Sequence, residues 1–254
     1  MRRWIAERLE RGETLIGSFV SNPRLATCEV LAHAGFDVLV ADAEHFPLAP
    51  ADVLAIIAGA DVGGLPALVR VSDDSPTSIQ YALDAGAAGV IVPRVHTAEQ
   101  AAAAVAAASY PPKGVRGAGP GRASLYGLDR VAAMQEALEQ TLVAVQIESA
   151  TAVENLAAIL AVEHLDMVFV GPNDLSHSLG RPPEDELRRV IDEVLVRAQA
   201  AGVRTGILAS TPELVDRYRR TGVSLILTGS DLSLLSAGAR ALMEALAGYQ
   251  SIDR

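Results

Sequence analysis

The chain has 254 residues, 50% of them hydrophobic and 20% charged, with a net charge of −10. So acidic a surface argues against nucleic acid or an anionic membrane as partner. The one cysteine, Cys28, excludes an internal disulfide and a thiolate metal cluster. One domain spanning 1–254 would bury a large core, and with aromatics at 4% that core is aliphatic.

In chain order, the N-terminal MRRWIAERLERGE is charged and helical in pattern. It lacks the apolar stretch of a secretory signal. No apolar run approaches the roughly 20 residues a spanning helix needs, so the expected location is the cytoplasm. Eight runs rich in Val, Ile and Leu follow, at 15–19, 38–41, 67–71, 89–93, 142–147, 167–171, 205–208 and 225–229. Nearly unbroken apolar runs suit parallel strands covered on both faces. Between them lie helical patterns such as PRLATCEVLAHAG, TSIQYALDAG and ELVDRYRRTG, each ending at a glycine that suits a helix C-terminus. Eight strand–helix alternations predict a closed (β/α)8 TIM barrel rather than an open sheet.

One connection breaks the rhythm. Between strands four and five, two helical stretches, TAEQAAAAVAAAS and LDRVAAMQEALEQ, are joined by YPPKGVRGAGPGRASLYG. Gly and Pro end helices, so this 110–127 segment reads as a long loop, and its Arg116 and Arg122 suggest a lid or subunit contact. A solvated loop is the other reading. GAGPG is no dinucleotide fingerprint, because no strand precedes it.

Several apolar runs end in chemistry. LVADAEHFPL delivers Asp42, Glu44 and His45; VAVQIES delivers Glu148; VFVGPNDLS delivers Asp174. Neighbouring strands lie about 4.8 Å apart, so Glu148 and Asp174, ending strands five and six, could grip one ion. Carboxylates alone suit a hard cation, Mg²⁺ or Mn²⁺, with Co²⁺ a further candidate, and leave positions open for substrate. N-caps or salt bridges are the competing reading of the same acids. Arg70 lies inside the apolar ALVRV, where a guanidinium needs an anion, either a substrate or an internal partner such as Asp42. His45 is the histidine directly after an acidic strand end, where an imidazole can move a proton. Lys113, in the PPKG turn, is the sole lysine among 21 basic residues, which leaves no cleft lysine for Schiff-base chemistry.

Taken together, DAEH, VRV, YPPKGVRG, VQIES and VFVGPNDLS resemble the class II, metal-dependent pyruvate aldolases. These include the 4-hydroxy-2-oxoheptanedioate, 2-dehydro-3-deoxyglucarate and 2-keto-3-deoxy-L-rhamnonate aldolases. The likeness runs in order from about Gly17 to Leu246. It implies a carbon–carbon lyase that reversibly cleaves a 4-hydroxy-2-oxo acid to pyruvate and an aldehyde. By that resemblance Glu148 and Asp174 are the metal ligands, and Arg70 contacts the keto or enolate oxygen. His45, supported by Asp84, manages the proton through water. Asp42 lies near that network, and Gln146, Gly171, Pro172 and Asn173 line the pyruvate pocket. The family also implies a homohexamer, a trimer of dimers, in which Asp84 reaches His45 across a subunit boundary. Two departures bear on the aldehyde: GAGPGRASLYG is shorter than the corresponding loop of the heptanedioate enzyme, and Asn173 stands where Ala is common.

Three rivals follow from the same residues. An acyl-CoA lyase of the citramalyl or malyl type would need Arg116 and Arg122, placed on a top-face loop, for the CoA phosphates. A phosphosugar barrel would use TGSDLS, 228–233, as a phosphate site. A non-catalytic 2-oxo acid binding protein would keep the metal site without turnover.

Overall fold

Eight parallel strands close into a barrel in sequence order in the computed structural model, which describes residues 2–247. They are β1 (Leu15–Val20), β2 (Val38–Asp42), β3 (Ala67–Arg70), β4 (Gly89–Val92), β5 (Leu142–Ile147), β6 (Met167–Val170), β7 (Arg204–Leu208) and β8 (Leu225–Ser230). Every bound lies within one residue of the reading from sequence. A helix α1 (Arg2–Glu10) precedes the barrel. Around it run α2 (Leu25–His33), α3 (Pro50–Val62), α4 (Pro76–Asp84), α5 (Ala98–Ala108), α6 (Arg130–Gln140), the short pair α7 (Ala150–Glu154) and α8 (Leu156–Leu160), α9 (Pro172–Ser178), α10 (Glu184–Ala200), α11 (Pro212–Arg220) and α12 (Asp231–Leu246). Among the described residues no helix is long and apolar enough to cross a membrane.

The expected glycine stops are real. After α2, α4 and α11 the chain turns through Gly35, Gly86 and Gly222 at φ of +96°, +102° and +78°. In each case the next residue's N–H returns to the helix: Phe36 to Leu31, Ala87 to Ala82 and Val223 to Tyr218. That is the six-to-one bond of a left-handed C-cap, a backbone state glycine enters at little cost.

The buried apolar residues divide into two clusters, and the division follows strand alternation. The barrel interior holds Val38 and Val40 of β2, Leu68 of β3, Leu142 and Ala144 of β5, and Met167 and Phe169 of β6. The residues between them, such as Leu39, Ala41, Val69, Val143 and Val168, face the helices. Ile5 and Leu9 of α1 join the inner cluster with Leu15 and Leu142, so α1 plugs the end where the strands begin. Cys28 is fully buried, and burial raises its thiol to about 11, so it is a packing residue.

The 110–127 segment corrects one expectation. It does not overhang the mouth where the strands end. Gly121 lies against Asp84 at the last turn of α4, Arg122 reaches Asp61 in the last turn of α3 (2.5 Å), and Arg116 reaches Asp84 (2.7 Å). Helix C-termini in a (β/α)8 barrel lie at the end where strands begin, so this loop belongs to the bottom. It does form the expected break between α5 and α6, with a short 3-10 stretch at Arg122–Gly127. Leu232, Leu235, Leu242 and Met243 of α12 are exposed, so the last helix presents an apolar surface to solvent.

Candidate active site

Alternation carries the inner series of each strand upward into the site. After Val38 and Val40 the next inward position of β2 is Asp42. After Leu68 the next of β3 is Arg70, and Asp42 sits directly opposite it in the register. After Leu142 and Ala144, β5 presents Gln146 and then, just past its end, Glu148. After Met167 and Phe169, β6 presents Gly171. The polar residues therefore gather above one apolar floor at the C-terminal mouth, where barrels of this kind assemble their sites.

Arg70 and Asp42 form a buried two-point pair, with Nε to Oδ1 at 3.0 Å and Nη2 to Oδ2 at 2.7 Å. The guanidinium also lies 4.3 Å over the Phe19 ring. Asp42 Oδ1 accepts the N–H groups of Glu44 and His45 as well, at 3.2 and 3.3 Å, which folds the DAEH turn over the barrel rim. The two readings of Arg70 thus combine: it has an internal partner, and it still lines the cavity.

Glu148 is buried and fixed by two donors. The Arg94 N–H reaches Oε1 at 2.6 Å, and the Gln146 carboxamide reaches Oε2. Gly171 leaves the room it needs, because a Cβ there would stand 3.0 Å from Oε2 and 3.2 Å from the Glu148 Cβ. Burial raises the Glu148 carboxyl above the usual carboxylate range, with Glu44 and Asp174 adding to the effect and the Arg94 N–H opposing it. Asp174 differs from expectation in one respect. Pro172 starts α9, so Asp174 rides in the first turn of that helix rather than at a strand end, and its side chain is half exposed.

His45 joins the acids to one another. Its Nε2 lies 4.0 Å from Asp174 Oδ2 and 4.0 Å from Glu44 Oε2. A cavity of about 350 Å³ opens here, lined by Asp42, His45, Arg70, Gly171, Pro172, Asn173 and Asp174. The sequence reading gave no role to Glu44 or Arg94. Glu44 is half-buried; its Oε2 pairs with Arg70 Nη1 at 3.3 Å but makes no hydrogen bond. Burial raises it too, against the pull of Arg70 and Arg94. Arg94 holds φ +56°, a strained state for a side-chain-bearing residue, and that state accompanies its bond to Glu148. Its guanidinium donates to the Ser72 carbonyl and lies 4.0 Å from Glu44. Glu44 was visible in the DAEH turn, whereas Arg94 breaks the alternation of β4 and had no signal.

The remaining expectations fall elsewhere. Asp84 is not beside His45 within one chain: it ends α4 at the bottom of the barrel, paired with Arg116. Arg116 is buried and stacks 4.6 Å over Tyr110, and Arg122 is held by Asp61, so neither offers a basic platform at the mouth for CoA phosphates. TGSDLS does begin α12, but it satisfies its own donors. Ser230 and Ser233 cap each other, and Leu232 N–H bonds Asp231. Asp231 also accepts from the Ser21 and Asn22 backbones, so an acid occupies the place where a phosphate would sit.

All the donors facing the mouth are oxygens, with one imidazole. Among the described residues no three ligating groups already form a metal cage. Two carboxylates, with the Glu44 carboxylate near them, fit a hard cation that keeps positions for substrate.

A family model described as HpcH/HpaI aldolase/citrate lyase matches residues 15–237. The chain belongs to this family. It is a carbon–carbon lyase, as the resemblance implied. It is 38% identical over 247 residues to a 2-dehydro-3,6-dideoxy-6-sulfogluconate aldolase of Pseudomonas putida, covering 96% of both chains. It is 40% identical over 242 residues to a 4-hydroxy-2-oxovalerate aldolase of Rhodococcus jostii (strain RHA1), covering 92% of both. A solved HpcH/HpaI aldolase/citrate lyase family protein from Burkholderia cenocepacia J2315 superposes with a TM-score of 0.87 at 36% identity, covering 95% of this chain and 98% of that one.

Proposed function

We propose that this enzyme reversibly cleaves a 4-hydroxy-2-oxo acid to pyruvate and an aldehyde with the help of a divalent cation. The observation that carries the reading is that Asp174, Arg70 and His45 line one cavity, with Glu148 buried beside it and close enough to Asp174 to feel its charge, in an aldolase-family barrel.

In the cleavage direction the 4-hydroxyl proton leaves to a base, the C3–C4 bond breaks, and its electron pair moves to the C2 oxygen as an enolate. The aldehyde carbonyl forms at C4, and a proton returned to C3 gives pyruvate. Arg70 meets the enolate oxygen; its pairing with Asp42 and Phe19 fixes the fork before charge develops, which is where preorganised donors act best. His45 receives and returns the proton, from a half-exposed position between Glu44 and Asp174. Gln146 and the Gly171–Asn173 turn hold the pyruvate half. Glu148 and Asp174 would hold Mg²⁺, Mn²⁺ or Co²⁺, which as a Lewis acid withdraws charge from the 2-oxo acid when bound.

We further infer a homo-oligomer, a hexamer by the family resemblance. The exposed apolar residues of α12 support self-association. In such an oligomer Asp84 would serve the His45 of a second chain, as the family resemblance implies. Light scattering gives the mass in solution. The activity is tested by pyruvate release from a panel of 4-hydroxy-2-oxo acids, with EDTA as control. Release that EDTA abolishes and added Mn²⁺ restores is the expected result. Pyruvate bound without deuterium exchange at its methyl group, and no release from any substrate, would point instead to a binding protein.

A further inference from the structure

We propose that Arg94 is a positioning residue: its left-handed backbone aims an N–H that fixes Glu148 as a cation ligand, and its guanidinium latches that backbone state in place. This rests on the cation-dependent aldol reading above and concerns the same site.

Arg94 lies just past β4, between the buried Pro93 and Val95. In the parallel ladder Val92 stands opposite Val145, so an unbroken β4 would run on beside the end of β5. The chain turns instead at Arg94, at φ +56°. Its N–H leaves the ladder and meets Glu148 Oε1 at 2.6 Å. The Gln146 carboxamide holds the other oxygen, and the missing side chain of Gly171 leaves room for it. Both carboxylate oxygens are therefore oriented by donors, which is how partners behind a metal ligand tune its affinity. Two residues on, His96 Nδ1 meets Ser149 Oγ at 2.8 Å, and the His96 carbonyl accepts from Asn155 Nδ2 at 2.9 Å. The 94–96 turn thus grips two successive residues, Glu148 and Ser149. Each of these contacts lies within one chain.

Glycine enters the left-handed state freely, whereas a residue with a side chain seldom does. Arginine stands here, and its side chain makes the compensating contacts. Its Nη2 donates to the Ser72 carbonyl, past the end of β3, and its Nε lies 4.0 Å from Glu44 in the turn after β2. One residue thereby joins the ends of β2, β3 and β5 around the site. The Ser72 bond opposes relaxation of the backbone to the extended state, in which the N–H would leave Glu148.

The test replaces Arg94 by glycine, alanine and valine. Mn²⁺ affinity is measured by calorimetry on the metal-stripped enzyme, and a thermal melt establishes folding. Arg94→Gly loses the latch but accepts the left-handed state, so its Kd should stay within about threefold of the unaltered enzyme. Arg94→Ala loses the latch and keeps the backbone penalty, so its Kd should rise about tenfold, as when a metal ligand loses a supporting partner. Arg94→Val, with the branch that suits this state least, should bind more weakly still; if it does not fold, the alanine variant decides. Alanine and glycine variants of equal affinity, whether both match the unaltered enzyme or both fall short of it, overturn the inference and leave the aldolase reading intact. So does a glycine variant weaker than the alanine one. An unaltered enzyme that binds no Mn²⁺ overturns the reading beneath, and the inference with it.

Discussion

The two mouths of this barrel each set a buried arginine against an aspartate, for opposite purposes. At the C-terminal mouth, Arg70 and Asp42 meet through two hydrogen bonds and still border an open cavity, with the Glu44 carboxylate 3.3 Å from the guanidinium. At the N-terminal mouth, Arg116 meets a partly exposed Asp84 at a similar distance, and its guanidinium is sealed under Tyr110 and the 110–127 loop with Nε and Nη1 making no hydrogen bond. The upper cluster concentrates acids whose burial holds Glu44 and Glu148 above their ordinary range. The lower one ties a long loop to the ends of α3 and α4. Charge in a buried place, even incompletely matched, is thus no mark of a site; what distinguishes the upper cluster is the space for a ligand that its charges border.

That contrast can be broken by mutation. Glu148→Gln should lower turnover by about a thousandfold or more, since it removes a ligand charge from the mouth. Its stability should hold or rise, because a buried carboxyl that resists ionisation is gone. A steady-state assay beside a thermal melt reads both. Arg70→Ala should cost on the order of a hundredfold in turnover and keep binding Mn²⁺ by calorimetry. Near-normal cleavage by that variant would remove the guanidinium from the mechanism.

At the other mouth the pattern should invert. Arg116→Met is expected to lower stability by about 1 to 3 kcal/mol in denaturant titration, through the lost bond to Asp84. If the loop is only structural, kcat per folded molecule stays the same; a shifted pH profile would instead support the proposal that Asp84 serves His45 across a subunit boundary. The smallest effect concerns Asp73, in the loop before α4. Hydrogen bonds from Ser75 and Ser78 hold its carboxyl down at about 2, against an ordinary 3.8. The unfolded chain therefore binds the proton first as pH falls, and the stability Asp73 contributes is present above the ordinary value and lost on the way down to about 2. The stability gap between the unaltered protein and Asp73→Asn should narrow over that interval. A gap that stays constant with pH would show that the loop bonds do not favour the charged carboxylate.

The strands and their ends were readable in the sequence because burial on both faces forces continuous apolar runs, and a run must stop where water begins. Asp42, Arg70 and Glu148 were readable because each interrupts or ends an apolar run, while Gln146 came only from the family resemblance; the structure shows that all four continue the inward series of their strands. Arg94 was not readable, because its left-handed backbone leaves the alternation that a pattern can detect. Neither was the placement of the 110–127 loop, whose composition is the same at either end of a barrel.

What the sequence determined by itself was therefore the closed parallel barrel, the aldolase family and the polar residues that cap its inward series, since each is a property of local periodicity or of quoted motifs. Only the tertiary structure decided which charges are spent on one another and which face the cavity. That outcome depends on distances between segments far apart in the chain, from Arg94 to Glu148, from Arg116 to Asp84 and from Asp231 to Ser21, and no local pattern encodes such distances.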